Sequence, residues 1–90
     1  MFMYIYNKKK HTTGVITGNA SQNRLAVVYD DYNPKYDYIK LKGKRKVNCV
    51  QISEADWKWI TGARSKMWKR NKTQWDKYQI QRAQKIIASL

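Results

Sequence analysis

Hydrophobic and polar positions alternate with a period of two through residues 1–52, and from Ser53 onward the period lengthens toward the 3.6 of a helix. The alternating runs, bounded by turn residues, predict five strands at 2–6, 12–17, 25–29, 36–42 and 46–52. In the first, Phe2, Tyr4 and Tyr6 fall on one face and Met3 and Ile5 on the other. The run Leu25, Ala26, Val27, Val28, Tyr29 is almost unbroken and reads as a central strand buried on both sides. The fourth strand sets Tyr36, Tyr38, Lys40 and Lys42 against Asp37, Ile39 and Leu41, so that if Ile39 and Leu41 face inward the tyrosines and lysines face water. Residues 18–23 read as a polar loop, Asp30 to Pro34 as a strand-ending turn, and Gly43 with Lys44 as a tight hairpin turn.

Ser53 followed by Asp56, and Thr73 followed by Asp76, have the spacing of helix-capping pairs, because the hydroxyl accepts an orphan amide and the carboxylate suits the positive end of the helix dipole. They predict helices at 54–69 and 73–89. Trp57, Ile60, Ala63 and Met67 share one face of the first, and Ile80, Ala83, Ile87 and Leu90 one stripe of the second. The fold class expected is α+β: a small five-stranded antiparallel SH3-like or OB-like barrel or curled sheet followed by two C-terminal helices. Ninety residues give a single domain, with a β-rich part at 1–53 and a helical part at 54–90. In architecture alone this resembles small basic chromatin proteins that carry a helix after a barrel, and barrels of ribosomal and transcription-elongation type; function does not travel with such a likeness.

Composition sharpens the picture. Nineteen Lys and Arg stand against six Asp and Glu, a net charge of +13, while 42% of the residues are hydrophobic, enough to build a core. Ten bases and three acids lie in residues 1–53, nine and three in 54–90, so the fold itself is cationic rather than carrying a basic tail. The chain has no apolar run near the roughly 20 residues that cross a bilayer. A cytoplasmic protein is expected, free in solution or nucleoid-associated and without membrane attachment; the lone Cys49 agrees with a reducing compartment.

One histidine and one cysteine cannot build a tetrahedral zinc site or an internal disulfide, so neither metal nor cofactor is expected. The acids have structural employment: Asp56, Asp76 and Glu54 at helix starts, Asp30 and Asp31 in a turn. A cluster of Asp30, Asp31 and Asp37 around Mg²⁺ lacks supporting spacing. His11 reads as solvated and Cys49 as a small packed apolar residue, and Gly14 and Gly18 as marks of a bend or a close backbone approach. No catalytic residue is assigned, and an enzyme is not expected.

What remains is binding. Lys8, Lys9 and Lys10 crowd one turn, and Lys42, Lys44, Arg45 and Lys46 another. Arg64, Lys66, Lys69, Arg70 and Lys72 lie within nine residues around Trp68, and Lys66, Lys69 and Arg70 would form a ridge on a helix. Tyr36 and Tyr38 with Lys40 on one strand face suit stacking of bases beside phosphates. The function expected is therefore a non-enzymatic nucleic-acid-binding module of low sequence specificity, with RNA or single strands favoured slightly over duplex DNA. Trp68 either packs its indole against the domain or stacks on a base. The alternative is a small effector or inhibitor that docks by Trp59, Trp68 and basic residues on an acidic surface of a larger protein machine; Trp57 and Trp59, two apart, cannot both face one core. Oligomeric state is not legible in the sequence.

Overall fold

A computed structural model describes residues 3–30, 36–43 and 45–90. Contacts gather the chain into two compact units, Met1–Ile52 and Ser53–Leu90, with the boundary at the predicted change of period. The first unit is all β: β1 (Met3–Asn7), β2 (Thr12–Ser21), β3 (Arg24–Tyr29), β4 (Tyr36–Lys42), β5 (Arg45–Lys46) and β6 (Cys49–Ile52). The second holds α1 (Glu54–Met67) and α2 (Gln74–Ala88).

The six strands form an antiparallel, nearly closed, barrel-like sheet in the order β5-β4-β3-β2-β1-β6. Its two end strands are consecutive in sequence. The expected fifth strand is in fact two, because Asn48 adopts a left-handed backbone (φ 61°) between Lys46 and Cys49 and turns the chain from pairing with β4 to pairing with β1. Asn48 also accepts a hydrogen bond through its carbonyl from the Lys8 amide at 2.8 Å, and the Val47 amide donates to the Lys40 carbonyl at 3.0 Å, so the break is anchored on both sides. β2 runs to Ser21, well into the stretch read as a loop. Its pairing with β3 shifts register between Ile16 and Gly18 and again between Asn19 and Ser21, irregularities that curl a sheet while leaving polar residues within a strand.

Asn7 organises the β1–β2 turn. Its Oδ1 accepts from the amides of Lys9 and Lys10 at 2.9 and 3.0 Å, its carbonyl accepts from His11 at 2.8 Å, and its Nδ2 donates to the Tyr29 hydroxyl at 2.9 Å. The core inside the curl is Ile5, Val27, Tyr29 and Ile39, with Met3, Ile16, Leu25 and Cys49 packed around it. Full burial of Ile5 and Val27 contributes about 1.5–3 kcal/mol each. β3 takes the central position its apolar run predicts, but it is not buried on both sides: Val27 and Tyr29 are buried, while Leu25, Ala26 and Val28 are half-buried. Tyr6 is buried as well as Ile5 on the opposite face, because β1 has strands on both sides and Tyr6 lies between Thr13 and Val50.

In the helical unit the Ser53 hydroxyl accepts from the Asp56 amide at 3.1 Å. Thr73 and Asp76 make a complete capping box, at 3.0 Å from the Thr73 amide to the Asp76 carboxylate and 3.1 Å from the Asp76 amide to the Thr73 hydroxyl. α1 and α2 pack against one another, with Ile60, Ala63 and Ala83 buried. Met67, expected on the same face as Ile60, is exposed at the last residue of α1.

Candidate nucleic-acid interface

The exposed face of β4 brings together the most suggestive set of side chains in the β unit. Ile39 is buried, and by the alternation of a strand its neighbours Tyr38 and Lys40 point out, Tyr38 with 56% of its surface exposed. Register places Tyr38 opposite Ala26 of β3, which is opposite Gly18 of β2; one step along, Lys40 is opposite Arg24. Tyr38 thus stands beside the two smallest kinds of side chain, and a Cβ at Gly18 would meet nothing within 4 Å. The result is an open shelf next to an aromatic ring.

Arg24 and Lys40 are a directly opposed pair of like charges, an arrangement that costs stability in a sheet. Neither forms an ion pair with a described residue. Ser21, Asn23, Arg24, Lys40 and Lys42 line a shallow concavity at this corner, with the Leu41 amide bonded to the Asn23 carbonyl at 2.8 Å. A guanidinium, two ammonium groups and a hydroxyl around one hollow are suited to phosphate oxygens. Sequence reasoning missed Arg24, because it started the strand at Leu25 and because cross-strand register is not written in the local pattern.

The other expected residues divide into free and committed. Lys8 and Lys9 are exposed in the β1–β2 turn. Lys10 is tied to Asp37 at 3.2 Å and lies 4.8 Å over the Tyr29 ring. The Tyr38 amide, donating at 2.7 Å, and then Lys10 hold the Asp37 carboxyl below the usual carboxylate range. Lys42 and Arg45 are exposed and Lys46 is half-buried, while Lys44 and the Tyr36 side chain lie outside the described residues.

In the helical unit the basic ridge is not helical. α1 stops at Met67, capped by Trp68, so Lys69, Arg70 and Lys72 belong to the connection that leads to the Thr73 cap. Lys66 and Lys69 both reach Asp76, each at 3.6 Å, and Lys66 also bonds Gln79. Asp76 is buried, and its carboxyl is held low first by the Thr73 amide and then by the Thr73 hydroxyl and the two lysines. Arg64 is half-buried; Arg70 and Lys72 are exposed, Lys72 donating to the Lys69 carbonyl at 3.1 Å. Trp68 does not pack its indole away, being 73% exposed. Trp59 is half-buried against other rings of its own unit.

The acids do structural work at the positions described. Asp30 accepts from the Thr13 hydroxyl at 3.0 Å, and Glu54 pairs with Lys58 at 3.6 Å. Among the described residues no three of His, Cys, Asp and Glu lie together as a metal site, and Asp31 of the expected trio falls outside them. Burial pushes the Cys49 thiol up, away from the thiolate that a nucleophile requires. Among the described residues no helix is long and apolar enough to cross a membrane. The chain matches no protein-family model, no curated protein and no solved structure.

Proposed function

We propose that the chain is a non-enzymatic nucleic-acid-binding module of low sequence specificity that prefers unpaired strands, RNA or single-stranded DNA, over duplex. The observation that carries this reading is Tyr38, exposed on its shelf beside the opposed Arg24 and Lys40. A phosphodiester entering the hollow relieves the repulsion between the two cations and releases counterions from the strand, while the adjoining base finds the face of Tyr38. Lys8, Lys9, Lys42, Arg45, Arg70 and Lys72 add sequence-independent attraction. We read the curled sheet as an SH3-like or OB-like barrel because its last strand returns to pair with its first. A cytoplasmic setting fits the free thiol of Cys49.

The test is the affinity of the full chain for a mixed-sequence single strand across a salt series. A steep fall of affinity with salt is the expected result. No binding, or binding indifferent to salt, overturns the reading.

The exposure of Trp68 (73%) and Met67 (48%) favours a second reading, a small effector or inhibitor docked through tryptophan and basic residues on an acidic protein surface. A protein companion that survives nuclease digestion and is lost with Trp68→Ala supports it.

A further inference from the structure

The helical unit contains an aromatic cluster that the linear sequence does not announce. Trp59 of α1 and Trp75 and Tyr78 of α2 form a triangle whose ring centroids lie 6.1, 6.0 and 5.7 Å apart. The Arg82 guanidinium sits 4.7 Å over the Trp59 ring, with Nη1 3.4 Å from the Tyr78 hydroxyl. Such rings ordinarily close a core, yet Trp75 is 56% and Tyr78 47% exposed. The cause is helical geometry. Asp76, Gln79 and Ala83 are engaged or buried where α2 meets α1, whereas Trp75, Tyr78, Arg82 and Lys85, at spacings of three, four and three, run along the edge of that contact, touched by Trp59 on one side and exposed on the other.

The charge on that stripe selects its occupant. Its ionic groups are Arg82 and Lys85, which with Tyr78 and Gln81 line a shallow concavity. The only acid of α2, Asp76, is buried against Lys66 and Lys69. A second copy of a chain bearing +13 is repelled, so the partner is an anion that also offers flat apolar faces. An unpaired nucleotide strand has both in alternation.

We propose that the stripe is a second nucleotide-binding site, with one base against each of Trp75 and Tyr78 and the intervening phosphates on Arg82 and Lys85. It rests on the nucleic-acid reading above and names what the helical unit adds to it. Packing of Arg82 on Trp59 holds the guanidinium in place before a strand arrives and leaves the edge N–H groups other than the one on the Tyr78 hydroxyl for phosphate oxygens.

The experiment titrates the full chain with a thymidine strand of about ten nucleotides and with an abasic strand of equal length. Trp75→Ala and, independently, Tyr78→Ala are expected to weaken the thymidine strand by about tenfold and to leave the abasic strand unchanged, with Trp75→Phe restoring most of the loss. Arg82→Gln weakens both strands. Circular dichroism verifies each helix, and the two alanine variants report separately, so a folding defect in one leaves the other decisive. Equal losses on both strands in the two alanine variants, or none on either, overturn the site; so does displacement of the thymidine strand by polyglutamate of equal charge, which would assign the stripe to acidic proteins. If wild type binds neither strand, the nucleic-acid reading itself falls. If Tyr38→Ala weakens binding and the Trp75 and Tyr78 variants do not, only the second site falls.

Discussion

A Cβ placed on Gly14 would stand 3.0 Å from Cδ1 of Tyr29, so the Tyr29 ring occupies the volume that any larger residue at position 14 needs. Val27 Cγ2 at 3.0 Å and the Val28 carbonyl at 3.2 Å close the same space from other sides, and the carbonyl belongs to a strand that cannot shift alone. Gly14→Ala is therefore expected to destabilise the β unit by about 1–3 kcal/mol, as overpacking does. Gly18→Ala, with nothing within 4 Å, should be nearly neutral. Denaturant midpoints of the two variants side by side check the contrast; equal midpoints refute it.

Asn7 bears on the same ring. Its amide nitrogen donates to the Tyr29 hydroxyl while its oxygen holds the turn amides of Lys9 and Lys10. Asn7→Ala removes these three bonds together and leaves a buried phenol without its donor, at an expected cost of about 1–3 kcal/mol. Hydrogen exchange should show Lys9 and Lys10 amides losing protection while amides in α2 keep theirs.

Acid should loosen the helical unit through Asp76. Its carboxyl is lowered from 3.8 in the folded chain by the Thr73 amide first, then the Thr73 hydroxyl, Lys69 and Lys66. A carboxyl whose folded pKa lies below its unfolded value contributes stability that is complete above the unfolded value and disappears as pH falls through the folded one. The unfolding midpoint is thus expected to drop as pH is taken below about 4, and Asp76→Asn should flatten that dependence and weaken the cap even at neutral pH. A pH series of thermal melts on both proteins decides it. Identical slopes would mean that the capping box is not what titrates.

Much of this architecture is legible in the linear pattern, and the parts that are not have a common cause. Local signals are sufficient for the change of period at Ser53, for both helix caps, for the central β3 and for the outward direction of Tyr38, because each depends on neighbours within a few residues. Asn48 is different. Its left-handed backbone splits a strand in two, and Val47 and Cys49 on either side give no sign of it. The burial of Tyr6 depends on β6 returning to β1, a long-range pairing, and the contact of Trp59 with Trp75 and Tyr78 depends on how two helices pack. The basic ridge fails for a local reason that charge obscures: the chain leaves the helix at Trp68, and Asp76 draws Lys66 and Lys69 to itself.

Arg24 offers the sharpest test of the interface, because stability and binding should move in opposite directions. Opposed to Lys40 across β3 and β4 without an ion-pair partner among the described residues, it is held where its charge is unfavourable for the fold. Arg24→Gln removes the repulsion and should raise the unfolding midpoint slightly, an effect that shrinks as salt screens the wild-type pair. The same change removes a phosphate contact, so the slope of log affinity against log salt for a single strand should fall by about 0.7–1. Lys40→Gln should behave likewise, and the double variant should gain little further stability, since the first substitution has already abolished the repulsion. A surface lysine or arginine with no ligand would show neither the gain nor the change of slope. Loss of stability in Arg24→Gln would make the residue part of the scaffold and remove the corner of the sheet from the binding face.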